Sequence, residues 1–331
     1  MIVKTRAYAR AGLAGNPSDG YFGKTISVSI KNFYAEVTLY ETPDLEILPN
    51  ERDHSYFKDF EHLVRDVQLQ GYYGGIRLIK AAAKKFHDYC QGKGIVLANK
   101  NFTIRYTSNI PVQVGLAGSS AIVTATIRAL MTFYGVEIPK PLLPNLILSV
   151  ETDELSISAG LQDRVIQVYE GLVYMDFDKK LMDTQGHGNY ESLDPNLLPP
   201  IYLAYISDLS EISGIAHGNL RGRFMAGDTA VIEAMKYFAE RAELAREAIL
   251  KRQPEKLFEI MNQNFDKRKE IFPISRKNLE MVNLARMVGA SAKFPGSGGA
   301  IVGMYTDEKM FNKLKETLAE IGAVVIKPEI H

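Results

Sequence analysis

A single cysteine, Cys90, is all the thiol chemistry the chain carries. An intramolecular disulfide is therefore impossible, and a structural zinc site built from cysteines is excluded. Net charge is absent too: 39 basic residues balance 39 acidic ones, and no long run of either sign occurs. That balance argues against nucleic acid as a partner. No apolar stretch reaches the roughly 20 residues needed to cross a bilayer. The opening MIVKTRAYARAGLAG also lacks the uninterrupted apolar core of a secretory signal. A cytoplasmic protein with no nucleic-acid and no membrane partner is expected. Local Arg and Lys clusters can still hold anionic small molecules, because a concave site feels its neighbours more than the total charge.

What is present is the composition of a soluble globular protein, 46% hydrophobic and 24% charged. At 331 residues the chain exceeds the usual size of one hydrophobic core, so two domains sharing a cleft are expected. The polar stretch from Leu181 to Pro200, with Gly186, Gly188 and a Pro-Pro pair, marks the border, giving domains at 1–180 and 181–331. Before it, β-rich runs at 25–30 and 34–39 are followed by a helical pattern from Tyr73 to Gly92. A strand at 102–108 and helices over 121–134, 144–154 and 160–169 come next. Beyond the border the pattern reads strand 201–206, helices 230–251, 254–269 and 278–288, strand 300–305, helix 307–321 and strand 324–326.

Two Gly-rich loops interrupt this pattern. In Pro111-Val-Gln-Val-Gly-Leu-Ala-Gly-Ser-Ser-Ala121, small residues stand where a strand hands over to a helix, so backbone N–H groups can converge at the helix N-terminus. Such a terminus binds phosphate. Gly115 and Gly118 let the backbone approach an anion, and Ser119 and Ser120 offer hydroxyls. Neither the Walker pattern G-x-x-x-x-G-K-[ST] nor the Rossmann G-x-G-x-x-G is present. A serine-capped helix after a tight turn is the plainer reading of such a loop taken alone.

Three motifs in order remove that plainness. Arg10-Ala-Gly-Leu-Ala-Gly-Asn-Pro-Ser-Asp19, the Gly115-Leu-Ala-Gly-Ser-Ser-Ala121 loop and Lys293-Phe-Pro-Gly-Ser-Gly-Gly-Ala300 together resemble the three signatures of the GHMP kinases. With Ala159-Gly-Leu-Gln-Asp-Arg-Val165, they are most similar to the glucuronokinase branch of that family. The likeness spans nearly the whole chain. It departs where other members often carry Glu and His in place of Asn16 and Pro17, and G-A-G in place of Pro295-Gly296-Ser297.

The resemblance implies an α+β fold of two domains, the first with a left-handed βαβ unit and the second ferredoxin-like, with the site between them. It implies ATP as co-substrate, Mg²⁺, and a sugar or uronic acid acceptor phosphorylated at its anomeric hydroxyl, with D-glucuronate favoured. Residues 115–121 (Gly115, Leu116, Ala117, Gly118, Ser119, Ser120 and Ala121) would hold the phosphates, and Ser120 with Glu151 would ligate the metal. Asp163 would act as base, and Arg10 would offset the charge developing in transfer. Asn16, Asp19, Arg164, Ser297 and Gly298 are the expected substrate contacts. Asn16 and Asp19 serve equally as turn caps, and Arg164 either grips a substrate carboxylate or holds Asp163 in place. Ser213 and His217 are weaker candidates. Galacturonate, arabinose, galactose or a small alcohol remain open as acceptors, as does a regulator that binds without turnover.

Overall fold

Strands β1 (Ile2–Ala14) and β2 (Lys24–Thr42) form one long antiparallel ladder, with Val3 opposite Leu39 and Ala11 opposite Val28. In this computed structural model residues 1–50, 53, 74–207 and 220–330 are described. The two β-rich runs expected at 25–30 and 34–39 are halves of the single strand β2. Strand β4 (Asn101–Ser108) pairs with the second half of β2 and β5 (Leu172–Asp176) with the first half, so both share the edge that β1 leaves open. A short β3 (Glu46–Ile47) runs parallel to β4, and helix α1 (Gly75–Gly92) lies in the crossover between them. Strand β6 (Asn189–Leu193) closes the six-stranded sheet against β5.

Helix α2 (Gly118–Tyr134) packs on β1 and β2 through a face of small side chains, Ala121, Ala125 and Ala129, with Val123 and Ile127 filling the gaps. It stops at Gly135, whose positive φ of 68° lets the backbone N–H turn back to the Met131 carbonyl. Helix α3 (Leu143–Ser149) runs directly into a π-turn at Val150–Glu154, and α4 (Gln162–Tyr169) follows. Wide turns of this kind re-aim side chains and recur at functional sites. Here the turn carries Glu151.

The border expected at 180/181 falls inside α5 (Lys179–Gln185), and the next strand, β6, still belongs to the first sheet. The alternating run Asn189–Leu193 supplies a full ladder to β5, which its polar composition conceals. Beyond it, β7 (Ile201–Tyr205), β8 (Ala300–Met304) and β9 (Val324–Ile326) form a second antiparallel sheet in the order β8-β7-β9. Main-chain bonds between Lys293 and Val302 add a further segment at the edge of β8. In chain order the spatial arrangement is fourth, first, third, second, which is the ferredoxin-like pattern. Helices α6 (Thr229–Leu250), α7 (Pro254–Ile271), α8 (Arg276–Met287) and α9 (Glu308–Ala319) complete this half.

The two sheets share one core. Ala242, Ala245 and Ile249 of α6, Met261 of α7 and Val302 of β8 pack in the same buried cluster as Leu13, Val28 and Val37 of the first sheet. Asp228 caps α6 by accepting from the Ala230 and Val231 N–H groups, a contact worth about 1 kcal/mol. This mixed α+β architecture lays the end of β1 between both Gly-rich loops.

Candidate active site

The β1 backbone does the first work of assembly. Arg10 N donates to the Leu116 carbonyl at 3.2 Å, and Gly12 N donates to the Pro295 carbonyl at 3.0 Å. Both Gly-rich loops are thus stitched to one strand. Their mutual approach leaves no space for side chains: a Cβ on Gly296 would lie 2.1 Å from the Gly115 carbonyl oxygen and 2.9 Å from Arg10 Nη1. A Cβ on Gly115, which has φ 69°, would lie 2.8 Å from Ser297 N.

Within the first loop Ala117 adopts a left-handed conformation, φ 64° and ψ 44°, immediately before α2, and no side chain caps that helix. The N–H groups of its first turn therefore point outward with the positive end of the helix dipole behind them. The two serines diverge there. Ser119 Oγ donates to Glu151 Oε1 at 2.8 Å, whereas Ser120 Oγ is fully buried and donates to the Ala117 carbonyl at 3.1 Å. Ser120, expected to share a metal with Glu151, is turned away from it. Successive helical residues differ by about 100° in direction, so only one of the pair can face Glu151.

Around this loop lies a buried web of charge. Arg10 Nε donates to Asp163 Oδ1 at 2.6 Å and Arg10 Nη1 to the Gly115 carbonyl at 2.5 Å. Arg164 Nη2 bonds Glu151 Oε2, while its Nη1 donates to the Gly160 carbonyl at 2.9 Å and stands 3.5 Å from Asp163 Oδ2. Burial works against the charge on Arg164, but Glu151 and Asp163 more than offset it and its pKa ends above the usual arginine value. Asp19 reaches the same place from the turn Ser18–Tyr21 and accepts from Gln162 N at 3.2 Å. Burial, and then the negative charge of Asp163, push the Asp19 carboxyl up to about 6.

Two expected substrate contacts are occupied by the protein itself. Arg164 is 3% exposed and its guanidinium is held by two acids and a carbonyl. The Asn16 side chain is buried between Lys293 Nζ, at 2.5 Å from its Oδ1, and the Phe294 carbonyl, at 3.3 Å from its Nδ2. It pins the first motif to the third, because only a side chain with both donor and acceptor satisfies that gap. Ser297 and Gly298 lie against Gly115 of the first Gly-rich loop. Of the five, Asp19 and Arg164 are the two that keep company with Asp163. Ser213 and His217 lie outside the described residues.

Sequence reasoning passed over Lys293 and Gln162, although both stand inside quoted motifs. Lys293 Nζ is buried and donates to the Gly12 carbonyl at 2.6 Å, Asn16 Oδ1 and the Phe294 carbonyl at 2.9 Å. Burial first, and then the charges of Arg268 and Arg10, hold its pKa well below the usual lysine value. A lysine directly before a Gly-rich loop was the available signal. Gln162 is buried with Oε1 lacking a partner among the described residues, and its Nε2 lies next to Gly12. Asn264 was not readable at all: it accepts from Gly15 N at 2.7 Å and donates to the Asn16 carbonyl at 3.1 Å from the middle of α7.

Phosphate-ready amides, a Ser–Glu oxygen pair and an Arg–Asp pair on one surface fit a phosphotransferase. The family described as GHMP kinases N terminal domain matches residues 77–171. Glucuronokinase 1 of Arabidopsis thaliana is 47% identical over 306 residues, covering 91% of this chain and 84% of that protein. The chain belongs to the GHMP kinase family. The Arabidopsis protein "Probable glucuronokinase 2" is 45% identical over 334 residues, 99% of this GHMP kinase and 91% of the relative. Among solved structures, Lactococcus lactis galactokinase complexed with galactose superposes with a TM-score of 0.76 at 16% identity, covering 99% of this chain and 93% of that one. That likeness speaks for the fold alone. This GHMP kinase is thus a phosphotransferase with an alcohol group as acceptor.

Proposed function

We propose that this GHMP kinase transfers the γ-phosphoryl group of ATP to the anomeric hydroxyl of D-glucuronate, giving glucuronate 1-phosphate and ADP. The observation that carries this reading is the Arg10–Asp163 contact at 2.6 Å beside the uncapped N-terminus of α2. It supports a site where acceptor and phosphate meet. The acceptor itself is suggested by the two Arabidopsis relatives.

In this reading the amides of Gly118 to Ser120 bind the phosphates, and the Gly115 and Gly296 backbones close around them. Asp163 accepts the proton of the anomeric hydroxyl as its oxygen bonds to phosphorus and the bond to the ADP oxygen breaks. Arg10, tied to Asp163 and to the Gly115 carbonyl, supplies fixed positive charge where the attacking oxygen and the transferred group become more negative. Arg164 keeps Glu151 and Asp163 oriented. In the same reading Asp19 and Gln162 Oε1, which has no partner among the described residues, accept from sugar hydroxyls.

The donor set also suits Mg²⁺, a hard ion that takes one or two protein oxygens and completes its shell with phosphate and water. Ser119 Oγ and the Glu151 carboxylate are the residues that would hold it. When bound, it offsets phosphate charge. The test is ADP release by the purified protein with ATP, Mg²⁺ and a panel of sugars. Glucuronate should be the preferred acceptor; turnover of galactose or another neutral sugar with glucuronate ignored overturns the acceptor and leaves the kinase standing.

A further inference from the structure

With Arg164 engaged inside the protein, something else must offset the carboxylate of a uronic acid. Asp19 and Asp163 would repel it, so a cation is needed beside C5, across the ring oxygen from the anomeric carbon. Tyr21 stands two residues beyond Asp19 at the end of the same turn. Its ring packs against Phe224 with centroids 4.8 Å apart. Phe224 follows Arg221 by three residues in a helical stretch at 220–225, which sets both side chains on one face, the face that meets the Tyr21 ring. The charges of Arg221 and of Asp19 are both felt at the Tyr21 hydroxyl.

This stretch is anchored, since Leu220 is buried with Val231 and Phe238 of α6, and Tyr21 and Phe224 pack on the same cluster. Its two arginines differ. Arg223 Nε is bound to Asp228 at 2.8 Å, whereas Arg221 is exposed and has no hydrogen bond or ion pair with a described residue. The Tyr21 hydroxyl has no hydrogen-bond partner among the described residues either. Two donors without partners among the described residues therefore sit on the turn that carries Asp19 and on the helical face packed against it.

We infer that Arg221 and the Tyr21 hydroxyl form the carboxylate subsite of the acceptor pocket and set the preference for a uronic acid over its uncharged analogues. The inference rests on the glucuronate reading above. A guanidinium presents parallel N–H donors that match a carboxylate, and a phenol adds a third. Burial pushes the Tyr21 phenol up to about 12, so it stays a donor at neutral pH.

The experiment compares wild type, Arg221→Gln and Tyr21→Phe with glucuronate and with uncharged glucuronamide, measuring kcat and KM for each acceptor and for ATP. Wild type should prefer glucuronate. Arg221→Gln should raise the glucuronate KM at least about tenfold, the loss expected of a charge-assisted contact, and Tyr21→Phe should raise it severalfold. Both variants should raise the glucuronamide KM far less than the glucuronate KM, since the amide keeps a neutral acceptor but no charge, and should keep the ATP KM within about twofold; Arg221→Lys should recover part of the preference. A wild-type ratio of glucuronate to glucuronamide in Arg221→Gln, or an equal loss for both acceptors, overturns the subsite. Wild type that ignores glucuronate but phosphorylates a neutral sugar overturns the acceptor reading itself, and the subsite with it.

Discussion

Arg10 and Asp163 meet at 2.6 Å although 153 residues separate them, and the same guanidinium holds the Gly115 carbonyl at 2.5 Å. One side chain thereby fixes β1, α4 and the phosphate loop relative to each other. Both partners are largely buried, so the contact is little screened by water or salt. A change in any of the three segments should be felt at the reacting oxygen.

Asp163→Asn tests the proton acceptor directly. The amide is nearly isosteric and can still accept from Arg10 through its oxygen, so the loop keeps its shape. Turnover should fall by roughly 10²- to 10⁴-fold, the usual worth of a positioned base, while ATP binding measured by calorimetry stays close to wild type. Unchanged kcat removes Asp163 from its role.

Ser119 and Ser120 make opposite predictions. Ser119→Ala removes the hydroxyl that faces Glu151, so the Mg²⁺ concentration giving half-maximal rate should rise at least about tenfold. Ser120→Ala removes only a bond to the Ala117 carbonyl, costing roughly 1 kcal/mol of stability and leaving the Mg²⁺ dependence in place. Magnesium titrations of both variants decide the matter, and the reverse result would return Ser120 to the metal.

Most of the frame was legible because periodicity and glycine are local signals. The strand expected at 102–108 and the helices expected at 121–134 and 230–251 stand within a few residues of those bounds. What escaped is made by distance. No pattern tells that Arg164 is consumed by Glu151 across the π-turn, or that Asn16 is held by Lys293 from 277 residues away. The choice between Ser119 and Ser120 depends on where α2 starts and how its first turn is rotated, and helix starts are what sequence reads worst. Strand β6 was hidden because its polar residues lie at a sheet edge, where burial does not enforce an apolar pattern.

Asp19 makes stability depend on pH. Its carboxyl titrates at about 6 in the folded protein against a usual 3.8, so folding favours the protonated form. The contribution is complete below pH 3.8 and is lost as pH rises through about 6. Asp19→Asn cannot ionise and escapes that loss. Thermal melts should therefore show the variant nearly level with wild type near pH 4 and more stable by about 3 kcal/mol at pH 7. A constant difference across the range would mean that Asp19 does not carry the burial cost assigned to it.

Lys293 is the knot between the first and third motifs, and its loss should register twice. Lys293→Met keeps most of the volume but leaves the Gly12 carbonyl, Asn16 Oδ1 and the Phe294 carbonyl without their shared donor. Buried acceptors stripped of a partner cost about 1–3 kcal/mol each at most, and partial relaxation brings the expected total to about 2–4 kcal/mol. The melting temperature should fall by several degrees. Gly12 and Asn16 flank the segment that positions Arg10 against the second loop, so kcat should fall as well, even under conditions where the variant is fully folded. Added ATP should recover part of the melting temperature, since a ligand that binds only the folded chain stabilises it by mass action. A variant that melts and turns over like wild type would show that the two motifs hold together without the lysine.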